Sequence, residues 1–171
     1  MSSAPNVFHR GAPVLSLTEA DWASLLSVAQ ASPLRRSRLC LHASADDLTQ
    51  EMVICLLRDC YIRPHRHVAK SESFLMLSGR LTVVLFDDTG RVTQRIRLEQ
   101  PGGQGAYFFR LSVPVWHAVV VDSEYAVFHE TTTGPFVPGA TELAAWAPEP
   151  GTATAIAYAD RLRIETTVGH R

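Results

Sequence analysis

The chain has 171 residues, 46% of them apolar and 19% charged, with a net charge of −1. That size and balance fit one domain with a real core, and leave no global field to draw it to nucleic acid or a membrane surface. No apolar run is long enough to span a bilayer, and the only lysine, Lys70, sits in the loop Val68-Ala69-Lys70-Ser71, a poor place for Schiff-base chemistry.

Residues 1–16 show no period and carry Pro5, Gly11 and Pro13, so an irregular arm is expected. Thr18 has the chemistry of a helix N-cap, with Glu19 and Asp21 in the first turn where the helix dipole favours negative charge. Trp22, Leu25, Leu26 and Ala29 follow at helical spacing, and Pro33 ends a helix over about 18–31. The pattern then changes to short β runs. Met52 to Leu57 is apolar on both faces, which predicts a strand covered on both sides. Asp59 to His67, Glu72 to Leu77, Arg80 to Phe86 and Val92 to Leu98 follow, the last two flanking the hairpin turn Asp87-Asp88-Thr89-Gly90. Ala106 to Leu111 and His117 to Val121 flank a bend at Pro114, and Tyr125 to Thr131 is the last clear strand. Many short strands at this spacing imply a sandwich or barrel, with one short helical turn and a final helix near 153–162 beyond it.

The three cysteines are Cys40, Cys55 and Cys60. The number is odd, and no basic-then-apolar leader precedes them, which predicts a cytoplasmic protein with reduced thiols. Neither a helix-turn-helix pattern nor a basic patch is present, so no nucleic-acid partner is expected.

The chemistry concentrates in Pro64-His65-Arg66-His67. Two histidines at i and i+2 on a strand share a face, roughly 6.6 Å apart, a span that suits two imidazoles closing on one metal ion. Glu72 lies far enough on to return around a bend with a carboxylate, and His117 is the candidate fourth ligand. The competing reading is an ordinary surface or hydrogen-bonded pair; the spacing of Glu72, Gly79 and His117 favours the metal. A donor set of imidazoles and one carboxylate fits one divalent transition metal, with Fe, Mn, Ni, Cu and Zn not distinguished, and no cysteine lies at ligand spacing.

Strand parity carries further expectations. If His65 and His67 face inward, so do Tyr61 and Arg63. Arg63 then needs either a structural carboxylate or an anionic ligand. Phe74 and Met76 would wall the site beside Glu72. His42 faces away from Leu39 and Leu41, as a pocket acid–base group, a neighbour of the metal or a plain hydrogen-bonded histidine. His9, His129 and His170 are not expected to be ligands.

The run His65-x-His67-x4-Glu72-x6-Gly79 resembles the first cupin motif, and Pro114-x2-His117 the remnant of the second. Over roughly residues 20–162 the chain looks like the WbuC family of cupin-fold metalloproteins. The further matches are Ser32-Pro33-x-Arg35, Leu41-His42, Asp47, Gln50, Tyr61 to His67, Phe86-Asp87-Asp88-x-Gly90, Trp116-His117, Gly134-Pro135-Phe136 and Trp146-Ala147-Pro148. It departs from the motifs at Asp59, Ser112, Pro114 and Val121, which shape turns, and at Cys40, where the narrower family pattern has Asn. The resemblance implies a mainly β fold: a single antiparallel β-barrel of jelly-roll type, with an N-terminal helix and short C-terminal helical segments. The domain would cover 17–171, its barrel about 38–135 and its extension about 136–171. It implies a metal held by His65, His67, Glu72 and His117, with His42 and Tyr61 as proton movers. Arg63, Gln50, Phe74, Met76 and Glu130 would contact substrate. The expected function is a metal-dependent enzyme of isomerase or dioxygenase type on a small polar or anionic, sugar-like molecule. The alternative is a non-catalytic binding or sensing module. A homodimer is the expected assembly.

Overall fold

The computed structural model describes residues 5–168, with side chains through Arg163. Helix α1 (Glu19–Ala31) starts where expected: Thr18 is its N-cap, and the Asp21 carboxylate accepts the Thr18 backbone N–H at 2.7 Å. Leu25 and Ala29 face inward from it. They meet Leu39 of β2 (Arg36–Cys40) and Val53, Cys55 and Leu57 of β3 (Thr49–Leu57), which closes a core on the outer face of the sheet. Ile54 and Leu56, at the alternate positions of β3, turn to the barrel interior. The strand is therefore covered on both sides, as its unbroken apolar run predicts.

The expected irregular arm is corrected at one point. Val7–His9 forms strand β1, which pairs in parallel with β2. Asp59 to His67 is also shorter as a strand than expected. Only His65–His67 is extended and paired, as β4, and 61–64 approaches it as loop. Pro64 has no N–H to give a ladder; its carbonyl instead accepts the N–H of Ala144 at 2.9 Å.

Two pairs of expected strands are each continuous. Glu72–Phe86 is one strand, β5, and Trp116–Thr133 another, β8, and the two pair antiparallel along most of their length. Their register shifts between Met76 and Ser78 and between Gly79 and Leu81. The shift reverses side-chain parity: Phe74 and Met76 point into the barrel before it, Leu81 and Val83 after it. On β8 the inward set changes likewise, from Val119 and Val121 to Ala126 and Phe128. Gly79 stands at this crossing with φ +78°, and a Cβ there would lie 2.2 Å from the Tyr125 carbonyl oxygen. Strand β6 (Val92–Glu99) returns along β5 through the expected hairpin, and β7 (Phe108–Leu111) covers the other end of β5.

The result is mainly β, a single sheet curled into a barrel with few helices. The chain beyond Thr133 then wraps the outside. Strand β9 (Thr141–Leu143) pairs with β4. Helix α2 (Ala153–Val168) is longer than expected and brings Leu162 and Tyr158, with Trp146, onto Val84, Phe86, Ala118 and Val120. No helix among the described residues is long and apolar enough to cross a membrane.

Candidate metal centre

His65, His67, Glu72 and His117 come from three stretches of chain, and the fold brings them together. Strand β4 lies beside β8 with His65 directly opposite His117. His67 follows on the same face, and Arg66 points out. There Arg66 donates to Glu142 at 2.5 Å and stacks over the Trp116 ring at 4.4 Å. The ring centroids of His65 and His117 are 4.4 Å apart, those of His65 and His67 5.0 Å, and those of His67 and His117 5.6 Å. One nitrogen of each ring lies within 4.8 Å of the others.

The outer nitrogens decide what the inner ones are. His65 Nδ1 is 3.0 Å from the Arg63 carbonyl, and His117 Nδ1 is 3.0 Å from the Val115 carbonyl. A carbonyl only accepts, so each Nδ1 carries a proton and each Nε2 is the nitrogen turned to the centre, the one that would ligate a metal. His67 Nδ1 makes the equivalent contact with the Thr141 hydroxyl at 3.0 Å.

Glu72 closes the set. Its side chain is 4% exposed and that of His117 1%, and Glu72 Oε1 faces His117 Nε2 at 2.7 Å. The two atoms are out of hydrogen-bonding alignment, and neither has a hydrogen-bond partner among the described residues. Glu72 Oε2 lies 3.4 Å from His67 Nε2. A buried carboxylate this close to a buried imidazole nitrogen needs positive charge beside it, which a proton supplies in the metal-free protein and a bound cation can supply in its place.

The electrostatics agree. Burial, with His117 adding to it, pushes His65 down to about 4, so it is a neutral imidazole near pH 7. Burial would raise the Glu72 carboxyl, but the imidazoles of His117 and His67 outweigh it and hold Glu72 well below the usual carboxylate range. His117 is raised, the carboxylate of Glu72 outweighing burial. Glu130 moves the other way. Burial, and then the charge of Glu72, push it up to about 8, against the pull of Arg38.

A cavity of about 420 Å³ opens from this centre. Its walls include Phe74, Val119, Phe128, Glu130 and Arg38, and it falls in the size range of small-molecule sites. Of the expected substrate contacts, Phe74 and Glu130 therefore line it. Met76 does not: it is buried in the barrel core beyond the cavity.

The other expected positions lie elsewhere. Tyr61 and Arg63 do not share the inward face, because strand parity does not extend through the loop before His65. The Tyr61 hydroxyl donates to the Pro148 carbonyl at 3.0 Å, and burial pushes its pKa to about 12. Arg63 donates to the Ala144 carbonyl at 2.8 and 3.1 Å and pairs with Glu149. It is the structural option of the two weighed for it. Gln50 is buried, and its amide donates to the carbonyls of Ser44, Ala45 and Asp47, which ties down a loop. His42 sits at the edge of the sheet, its Nδ1 2.9 Å from the Glu51 carbonyl. His129 faces outward, 3.5 Å from Glu51. His170 lies outside the described residues.

Arg38 is the cavity residue that sequence reading passed over. The alternation with Leu39 and Leu41 that was read for His42 also turns Arg38 to the inner face. It stands exposed at the cavity mouth, opposite Ile54 in register.

A family model described as a domain of unknown function, DUF6016, matches residues 17–98. No curated protein matches the chain in sequence. Among solved structures, the chain is similar to an HTH_3 family transcriptional regulator from Vibrio cholerae. That match has 24% identity and a TM-score of 0.46, covering 68% of this chain and 62% of the regulator. It is similar to a cupin superfamily protein from Desulfitobacterium hafniense at 16% identity and TM-score 0.47, covering 64% of this chain and 86% of that one. It is also similar to oxalate decarboxylase from Bacillus subtilis, an enzyme with Mn(II) centres. There the identity is 13% and the TM-score 0.46, with 57% of this chain and 24% of the decarboxylase covered. The chain thus spans about three fifths of the regulator and a quarter of the decarboxylase.

Proposed function

We propose that the barrel holds one divalent transition metal through His65, His67, His117 and Glu72, in the manner of a cupin. In this reading the cavity beside it takes a small anionic molecule. The observation that carries this is the convergence of three imidazole nitrogens, within 4.8 Å of one another, on the buried Glu72 carboxylate, whose Oε1 lies 2.7 Å from His117 Nε2. Bound there, the metal would act as a Lewis acid on a ligand oxygen, with Fe, Mn, Ni, Cu and Zn all compatible with the donors.

The chain's own residues supply the rest. Arg38, at the mouth, is placed to hold a carboxylate or phosphate, the role first expected of Arg63. Glu130 keeps its proton near neutrality and is placed to donate it to a bound oxygen. Phe74, Val119 and Phe128 exclude water from the inner wall. The reaction class that suits these parts is isomerisation or dioxygenation of a small, sugar-like acid.

One observation favours a second reading, a binding or sensing module without turnover. His42 and Tyr61, the expected proton movers, are both outside the cavity. Pairing into a homodimer fits either reading, since β1 and β9 are edge strands with backbone groups a second copy could extend. So does a cytoplasmic location, with three free, buried thiols.

The test is metal stoichiometry by elemental analysis on untagged protein, followed by a thermal-shift screen of sugar acids and sugar phosphates. His67→Ala and His117→Ala should each remove one equivalent of metal, and Arg38→Gln should abolish the anion-dependent shift while the metal stays. Undiminished metal in both histidine variants would overturn the proposal.

A further inference from the structure

A second group of metal-ligating side chains lies at the opposite edge of the sheet. His9, Cys40 and His42 place one nitrogen or sulfur atom each within 4.8 Å of one another. The topology explains why. Strand β1 runs parallel to β2 with His9 beside Cys40, and His42 lies in the bend just past the end of β2. The arm is anchored on the far side of His9. The Arg10 N–H donates to the Cys40 carbonyl at 2.9 Å, and the Arg10 guanidinium pairs with Asp21 of α1. Gly11 then crosses so near to His42 and Ala43 that a Cβ there would lie 2.4 Å from the Ala43 Cα. Only glycine lets the chain press His9 against this pair.

Glu51 engages His42 Nδ1 twice, its carbonyl lying at 2.9 Å and its backbone N–H donating at 3.1 Å, so Nε2 is the ring nitrogen left to ligate, in the tautomer that donates from Nδ1 to the carbonyl. The rings of His9 and His42 meet edge-on, at 84° with centroids 6.3 Å apart. Cys40 is buried, His42 half-buried and His9 exposed, so the group runs from the surface inward.

We propose that His9, Cys40 and His42 form a second metal site, separate from the barrel centre, for a borderline-soft divalent cation of the zinc class. One thiolate and two imidazoles with an open fourth position suit such an ion, and lack the oxygen ligands that Mg²⁺ and Ca²⁺ need. Closing the three donors onto a tetrahedral ion brings them to about 3.5 Å apart, which rotation of the exposed His9 ring supplies. On binding, the Cys40 S–H bond breaks, a metal–sulfur bond forms, and one proton leaves to solvent without electron transfer. Because a thiol must lose its proton to ligate, uptake at this site releases one proton and strengthens as pH rises.

The test is a Co²⁺ titration of the reduced, metal-stripped, untagged full chain, followed by absorption. A thiolate-to-cobalt charge-transfer band should saturate at one equivalent, with one proton released, and Zn²⁺ should displace it. Cys40→Ser should lose the band. His9→Gln, a change at an exposed edge position that leaves the fold intact, should weaken the Co²⁺ affinity of the band at least tenfold. His67→Ala should keep the band while losing the barrel metal, so failure of the barrel reading and failure of this one are distinct results. No thiolate band in the wild-type chain, the same band in Cys40→Ser, or unchanged affinity in His9→Gln would each overturn the proposal.

Discussion

Glu72→Gln separates a metal centre from a buried ion pair through the metal dependence of its stability. In chelator both readings hold Glu72 and His117 as a charged pair 2.7 Å apart, because Glu72 raises His117 and a proton stands where a metal would. Neutralising Glu72 then costs about 3–5 kcal/mol in the metal-free protein on either reading. A metal centre adds a second penalty, on metal affinity. Loss of a carboxylate ligand that weakens binding about 100-fold is worth about 2.7 kcal/mol. With free metal at 100 times the wild-type Kd, the metal stabilises the wild type by about 2.7 kcal/mol and the variant by only about 0.4 kcal/mol. At about 2–4 °C per kcal/mol for a chain of this size, that is a metal-induced Tm rise of about 5–10 °C against about 1 °C. The assay is thermal and urea unfolding of both proteins, in chelator and in each candidate metal. Because Glu72 raises His117, protons compete with the metal there, and the wild-type increment should grow as pH rises from about 6 to 8. A wild type indifferent to every metal, or a Gln variant that metal stabilises as much as it does the wild type, would refute the reasoning.

His65 gives a pH prediction. Its folded pKa is depressed to about 4 from an ordinary 6.5, so between those values the unfolded chain binds a proton that the folded chain refuses. The metal-free protein should therefore lose stability as pH falls from about 6.5 to about 4, and His65→Asn should flatten that slope in urea titrations. In the helix core, Leu25→Ala should cost about 2–5 kcal/mol by equilibrium unfolding without altering metal content, since Leu25 packs on the outer face of the sheet, away from the cavity.

The convergence of His65, His67, Glu72 and His117 was legible because its signal is local. His65 and His67 share a face at any strand twist, and Glu72 and His117 each open the next long strand. The fold class was legible for a similar reason, from apolar runs and the Asp87–Gly90 turn. Failure came where the backbone leaves its period. The parity argument for Tyr61 and Arg63 assumed a strand from Asp59 that Pro64 and the loop before it interrupt. Met76 was taken for a wall residue because the depth of the cavity along β5 is set by the barrel, not by alternation. Gln50 has the polarity of a ligand contact, but its partners are three carbonyls of a loop just before it in sequence. Arg38 was masked by the opposite problem, since nothing in the sequence says that the inner face of β2 ends at the cavity mouth.

Arg63, although outside the cavity, is placed to act on the proposed metal centre. The orientation of two of the three imidazoles is set locally, His65 by the carbonyl of Arg63 and His117 by that of Val115, each two residues before its ring. His67 differs, because its Nδ1 partner is the Thr141 hydroxyl, on the segment that wraps back from the C-terminal side. That segment is held by Arg63, which grips the Ala144 carbonyl with two nitrogens and Glu149 with a third, and by Tyr61 on Pro148. Arg63→Ala should therefore loosen residues 141–149 and release the His67 ring. Metal affinity should drop about 10–100-fold, the scale of a lost orienting partner, while His65 and His117 still hold the ion weakly. Thr141→Val should give the same loss with little change in stability, and the double variant should be no worse than Arg63→Ala alone. Isothermal titration of the four proteins in a double-mutant cycle measures this. Losses that add in full would mean that Arg63 serves the fold and not the ring of His67.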